Sequence, residues 1–92
     1  MEMATVRFTP HLRRFFDLPD AHDVQAGTVS ELVEMLDAAW PGLGFYVTDE
    51  RGRLRKHVTI WIDGERVRDR EELGDALGPD SEVHILQALS GG

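Results

Sequence analysis

The feature that most constrains this chain is one amphipathic helix beginning after Gly27. Thr28 offers a side-chain oxygen to the first free amides, and Glu31 three residues later completes capping-box spacing. Val29, Leu32, Val33, Leu36 and Trp40 follow at helical intervals, giving one apolar stripe on an otherwise polar surface. Pro41-Gly42 ends the pattern. Such a helix has a single face to bury, and that face needs a sheet to pack on.

The rest of the chain supplies strands. Residues 5–8 alternate polar and apolar, and Pro10 stops the run. Leu12, Phe15, Phe16 and Leu18 form an apolar cluster before Pro19, expected to be a turn and a short strand. Residues 22–25 are expected as a further strand, closed by Gly27. After the helix, residues 42–56 read as a loop, with Phe45, Tyr46 and Val47 as a short turn against the core. The clearest strand is 57–62, where Val58, Ile60 and Ile62 alternate with His57, Thr59 and Trp61. Asp63-Gly64 is a hairpin signal leading into 65–68. Residues 71–77 are expected to form a helical turn or two before Gly78-Pro79, and 81–86 is the last strand. This order gives an α+β, β-grasp (ubiquitin-like) arrangement, a mixed sheet of four to five strands crossed by one main helix. Its first and last strands lie side by side in the sheet centre. The division expected is a β-grasp domain over 1–87 and a C-terminal tail over 88–92.

Composition narrows the chemistry. Ten basic and 17 acidic residues leave a formal charge of −7, which disfavours a phosphate backbone as partner, so no nucleic acid is expected. No apolar run approaches the roughly 20 residues that span a bilayer, and no secretory signal is visible at the N-terminus, so no membrane association is expected. There are no cysteines, which excludes a disulfide framework and a thiol nucleophile and agrees with a cytoplasmic location. The histidines at 11, 22, 57 and 84 are scattered without an i, i+4 pair, so no metal site is expected. Asp17 with Asp20, and Asp69 with Glu71 and Glu72, sit in turn-like segments and read as surface or caps. Arg51, Arg53, Arg55 and Lys56 place four of the ten basic residues in one loop, read first as a solvated loop and second as a contact for an acidic partner.

Three stretches carry a resemblance. They are His57-Val58-Thr59-Ile60-Trp61-Ile62-Asp63-Gly64-Glu65-Arg66-Val67, then Asp80-Ser81-Glu82-Val83-His84-Ile85-Leu86, then Gly91-Gly92. With Trp40-Pro41-Gly42-Leu43 and the segment 49–55, they resemble the MoaD/ThiS family of ubiquitin-like sulfur-carrier proteins over nearly the whole chain. A terminal Gly-Gly alone arises in about 1 chain in 200 if glycine is roughly 7% of residues, so the ordered combination carries the resemblance. Gln87 and Ser90 stand where many members have a proline and a small apolar residue.

The resemblance implies a carrier or co-substrate that is not itself an enzyme. A partner activating enzyme would adenylate the Gly92 carboxylate with ATP, and a sulfur donor would convert the acyl-adenylate to a thiocarboxylate. That group would supply sulfur to a downstream enzyme of cofactor (molybdopterin or thiamine), amino-acid, tRNA or metabolite biosynthesis. No cofactor is bound by the carrier in this scheme, since ATP belongs to the partner. Gly91 and Gly92 suit a narrow channel because glycine lacks a Cβ. Ala88, Leu89 and Ser90 would thread behind them, an extended reach of roughly 17 Å at about 3.3 Å per residue.

Strand parity adds a face. With Val58, Ile60 and Ile62 turned to the helix, Thr59 and Trp61 point the other way, as do His84 and Leu86 against Val83 and Ile85. Trp61, His84 and Leu86 are therefore expected at a partner interface beside the tail, where a tryptophan is a favoured anchor. Burial of Trp61 beneath Phe15, Phe16 or the loop after Gly42 is the competing expectation. Two further readings keep the fold. One is a protein modifier joined through Gly92 to lysines, and the other is the small subunit of a molybdopterin-synthase-type complex. The chain is expected as a monomer or weak homo-oligomer.

Overall fold

Alternation along the first strand sets the two faces of the sheet. In β1 (Ala4–Phe8), Ala4, Val6 and Phe8 are buried while Thr5 and Arg7 point away from the core. The computed structural model describes residues 3–87. Four more strands follow: β2 (Ala21–Val24), β3 (Val58–Ile62), β4 (Glu65–Arg66) and β5 (Glu82–Gln87), in the spatial order β2-β1-β5-β3-β4. β1 and β5 run parallel at the centre, with Val6 opposite Val83, and the other neighbours are antiparallel. This is the mixed α+β sheet expected from the sequence, with five strands. The β3–β4 turn uses left-handed backbone at both Asp63 and Gly64, the pattern that suits a tight hairpin. The Asp63 carboxylate also accepts the Glu82 amide at 2.8 Å, tying that turn to the start of β5.

One helix crosses the buried face. In α2 (Val29–Ala39), Val29, Leu32, Val33 and Leu36 enter the core that contains Val6, Val58, Ile60, Val83 and Ile85. The Thr28 hydroxyl accepts the Glu31 amide, while the Glu31 carboxylate accepts the amide of Gly27 rather than that of Thr28. The amides of Val29 and Ser30 are met by the carbonyls of Asp75 and Leu73, so the open first turn is closed by a distant loop. Burying four aliphatic side chains contributes on the order of 1.5–3 kcal/mol each before entropy is charged against it.

Three local expectations are corrected. The cluster after Pro10 is a helix, α1 (Pro10–Phe16), not a turn and strand. Thr9 caps it by accepting the Leu12 amide, Pro10 sits in its first turn where a missing N–H costs nothing, and Asp17 closes it in the left-handed region. Residues 43–47 form a one-turn helix, α3 (Leu43–Val47), where a looser turn was expected. Residues 71–77 form no helix. There the Asp69 carboxylate accepts the amides of Glu71, Glu72 and Gly74, and Asp75 accepts those of Arg68 and Asp69. Side chains thus satisfy the backbone that a helix would have paired, and left-handed Leu73 is buried in the core.

Candidate partner-binding face

The face of the sheet turned away from α2 is built by strand register. Trp61 on β3 stands opposite His84 on β5 and Arg66 on β4, and Thr59 stands opposite Leu86. Arg7 on β1 is opposite His84 from the other side. Period-two alternation therefore gathers Arg7, Glu82, His84, Leu86, Trp61 and Arg66 on one surface.

The surface is a mixed one. Glu82 lies 3.6 Å from Arg7 Nε and 3.6 Å from His84 Nε2, so one carboxylate sits between two nitrogen bases. The Arg66 guanidinium carbon is 5.5 Å from the centre of the Trp61 ring, a cation–π distance. Trp61 and His84 are half-buried, and Leu86 is exposed. Trp61 is thus neither fully open nor fully buried. Its neighbour is Arg66, a residue reachable from the hairpin register alone, since a two-residue Asp-Gly turn places 61 opposite 66.

Phe15, Phe16 and Tyr46 collect instead at the end of the sheet where β5 finishes. The Tyr46 ring lies 5.6 Å from Phe15, 5.7 Å from Phe16 and 6.3 Å from His57, centroid to centroid. The Tyr46 hydroxyl donates a hydrogen bond to the side-chain oxygen of Gln87, the last residue of β5. Sequence reasoning missed this contact, because nothing in the spacing of 46 and 87 links them. Gly91, Gly92, Ala88, Leu89 and Ser90 lie outside the described residues.

The basic loop is partly internal wiring. Arg53 pairs with Asp49 at 3.3 Å, and Arg55 Nε donates to the Phe45 carbonyl at 2.7 Å. The amide of Arg53 holds the Asp49 carboxyl below its ordinary range, helped by the Arg51 amide and the Arg53 charge. Asp69 is lowered in the same way, first by the Glu72 amide and then by those of Gly74 and Glu71. Both acids are structural turn caps. No helix among the described residues is long and apolar enough to cross a membrane.

The sequence profile of the ThiS family matches residues 7–92, which includes every strand of the sheet after the first residues of β1 and the Gly-Gly end. The chain belongs to the ThiS family. Solved structures agree on the ThiS-type fold. A chain in the crystal structure of the Amycolatopsis orientalis BexX/CysO complex superposes with a TM-score of 0.84 at 21% identity, covering 97% of this chain and 99% of that one. Mycobacterium tuberculosis CysO gives 0.82 at 25% identity over 94% and 99%. SAMP1 from Haloferax volcanii gives 0.81 at 22% identity over 98% and 99%. No curated protein sequence matches the chain. As a ThiS-family member it is a small ubiquitin-like sulfur-carrier protein.

Proposed function

We propose that the chain carries sulfur as a thiocarboxylate on Gly92. The observation that carries this reading is that the family match runs through residue 92, so the Gly91-Gly92 end belongs to the matched region. The Gly92 carboxylate attacks the α-phosphorus of ATP in a partner activating enzyme, releasing pyrophosphate and leaving an acyl-adenylate. A sulfide-level sulfur from a donor then displaces AMP and leaves the thiocarboxylate. Transfer of that sulfur to an acceptor, with water replacing it, restores the carboxylate.

The carrier's own contribution is placement. A carboxylate is a poor electrophile until its oxygen becomes part of a good leaving group, and the partner supplies that activation. The chain is therefore a co-substrate in the cytoplasm, binding no cofactor of its own while ATP is bound by the partner. Trp61, His84 and Leu86 form the docking face for the activating enzyme and the downstream sulfur-accepting enzyme. Ala88, Leu89 and Ser90 thread the channel behind Gly91 and Gly92. The BexX/CysO complex is a precedent for a relative of this fold crystallised with another protein.

A carrier prepared with a ³⁵S-labelled thiocarboxylate at Gly92 and added to extract of its own cell tests the reading. Label is expected to move into small molecules or tRNA. Label retained on the carrier would contradict sulfur transfer, and unlabelled carrier found joined to target lysines would favour the modifier reading.

A further inference from the structure

We infer that Tyr46 is a positioning residue, one that fixes where the C-terminal segment leaves the domain by holding Gln87. The inference rests on the sulfur-carrier reading for its functional consequence, while the anchoring itself is structural. β5 is central in the sheet, but its two sides do not end together. On the β1 side the pairing reaches Phe8 opposite Ile85, whereas on the β3 side it continues through Thr59 opposite Leu86 and Val58 opposite Gln87. Leu86 and Gln87 thus have a strand neighbour on one side only, and a strand end flanked on one side frays.

The Tyr46 hydroxyl meets that weak point. It donates to the Gln87 side-chain oxygen across 41 positions of sequence, linking α3 to the end of β5. Tyr46 is itself well fixed. Its ring is bracketed by Phe15, Phe16 and His57, and its helix is seated by buried Leu43 and Val47. The Asp37 carboxylate further accepts the amides of Gly42 and Gly44 at 3.1 and 2.9 Å, locking α3 onto α2. A rigid donor on the core thus holds the residue that leads into the five residues 88–92. Fixing the exit point reduces the conformational entropy that seating those five residues in a partner must overcome.

Tyr46→Phe removes the hydroxyl and keeps the ring, so it tests the bond without emptying the cluster. Amide exchange at Leu86, the β5 residue paired with Thr59 just before Gln87, read by NMR on the full chain, is expected to quicken at least several-fold in Tyr46→Phe and in Gln87→Ala. Gln87→Glu, which keeps an acceptor for the tyrosine, is expected to stay near the native rate. In ATP–pyrophosphate exchange with the activating enzyme purified from the same cell, KM for Tyr46→Phe is expected to rise about three- to tenfold with kcat unchanged. The double variant Tyr46→Phe/Gln87→Ala is expected to be no worse than either single one. Unchanged exchange at Leu86 in Tyr46→Phe would overturn the anchoring, whether or not the chain is activated. Effects that add in the double variant would overturn it as well, since they would mean that Tyr46 and Gln87 act separately. Normal anchoring with no activation by ATP would count against the carrier reading and leave the anchor in place.

Discussion

Asp37 and Gly44 are packed so closely that a Cβ added at 44 would lie 2.9 Å from Asp37 Cβ, while the Gly44 amide donates to the Asp37 carboxylate at 2.9 Å. The contact joins α2 to α3 and therefore sets the position of Tyr46. Because the obstructing atom is near the backbone, the neighbour has little room to give. Gly44→Ala is expected to destabilise the fold by about 1–3 kcal/mol through overpacking and loss of that hydrogen bond. Urea unfolding monitored by tryptophan fluorescence checks it, and an unchanged midpoint would contradict the packing argument.

Trp61 lies on the outward sheet face between its cross-strand neighbours His84 and Arg66. If that face docks the activating enzyme, Trp61→Ala is expected to weaken the interaction by about 1–3 kcal/mol, the range of an aromatic anchor. Titration calorimetry with the purified partner reads the affinity, and thermal unfolding separates a docking loss from a folding loss. Equal affinity for the native and Trp61→Ala chains would move the interface elsewhere.

Asp69 has a pH signature. Its carboxylate accepts three backbone amides, those of Glu72, Gly74 and Glu71, which favour the charged form and lower its pKa on folding. A group with a lowered folded pKa binds its proton more readily in the unfolded chain. Its stabilising contribution is therefore full above the ordinary aspartate range, about pH 4, and is lost as pH falls through the folded value. Asp69→Asn is expected to be less stable than the native chain at pH 7, with the gap narrowing as pH falls toward 2. Thermal unfolding across that interval measures it, and a gap that stays constant would remove the charge from the explanation.

The legible parts of this fold are those where pattern and burial agree. Helix α2 follows from Thr28, Glu31 and an unbroken apolar stripe, and β3 follows from the alternation at Val58, Ile60 and Ile62. The face shared by Trp61, His84 and Leu86 was legible for the same reason, since parity survives any error of a residue at strand ends. Helix α1 was not, because Pro10 reads equally as a strand stop and a helix start. The choice depends on Thr9 capping Leu12 and on Leu12 finding the core. Residues 71–77, closed by Gly78-Pro79, read as a helical turn or two. Here Asp69 and Asp75 satisfy the loop amides directly, which removes the need for a helix. The Arg66–Trp61 and Tyr46–Gln87 contacts are tertiary, and only the first is recoverable from hairpin register.

The central claim is that Gly92 bears the sulfur, and intact mass of the chain tests it most directly. The chain is incubated with ATP, a sulfide source and extract of its own cell, beside a variant lacking Gly92. A mass gain equal to exchange of one oxygen for one sulfur, present in the full chain and absent from the variant, is the expected result. An unchanged mass in the presence of an active adenylating enzyme, or the same gain in the variant, would contradict the account.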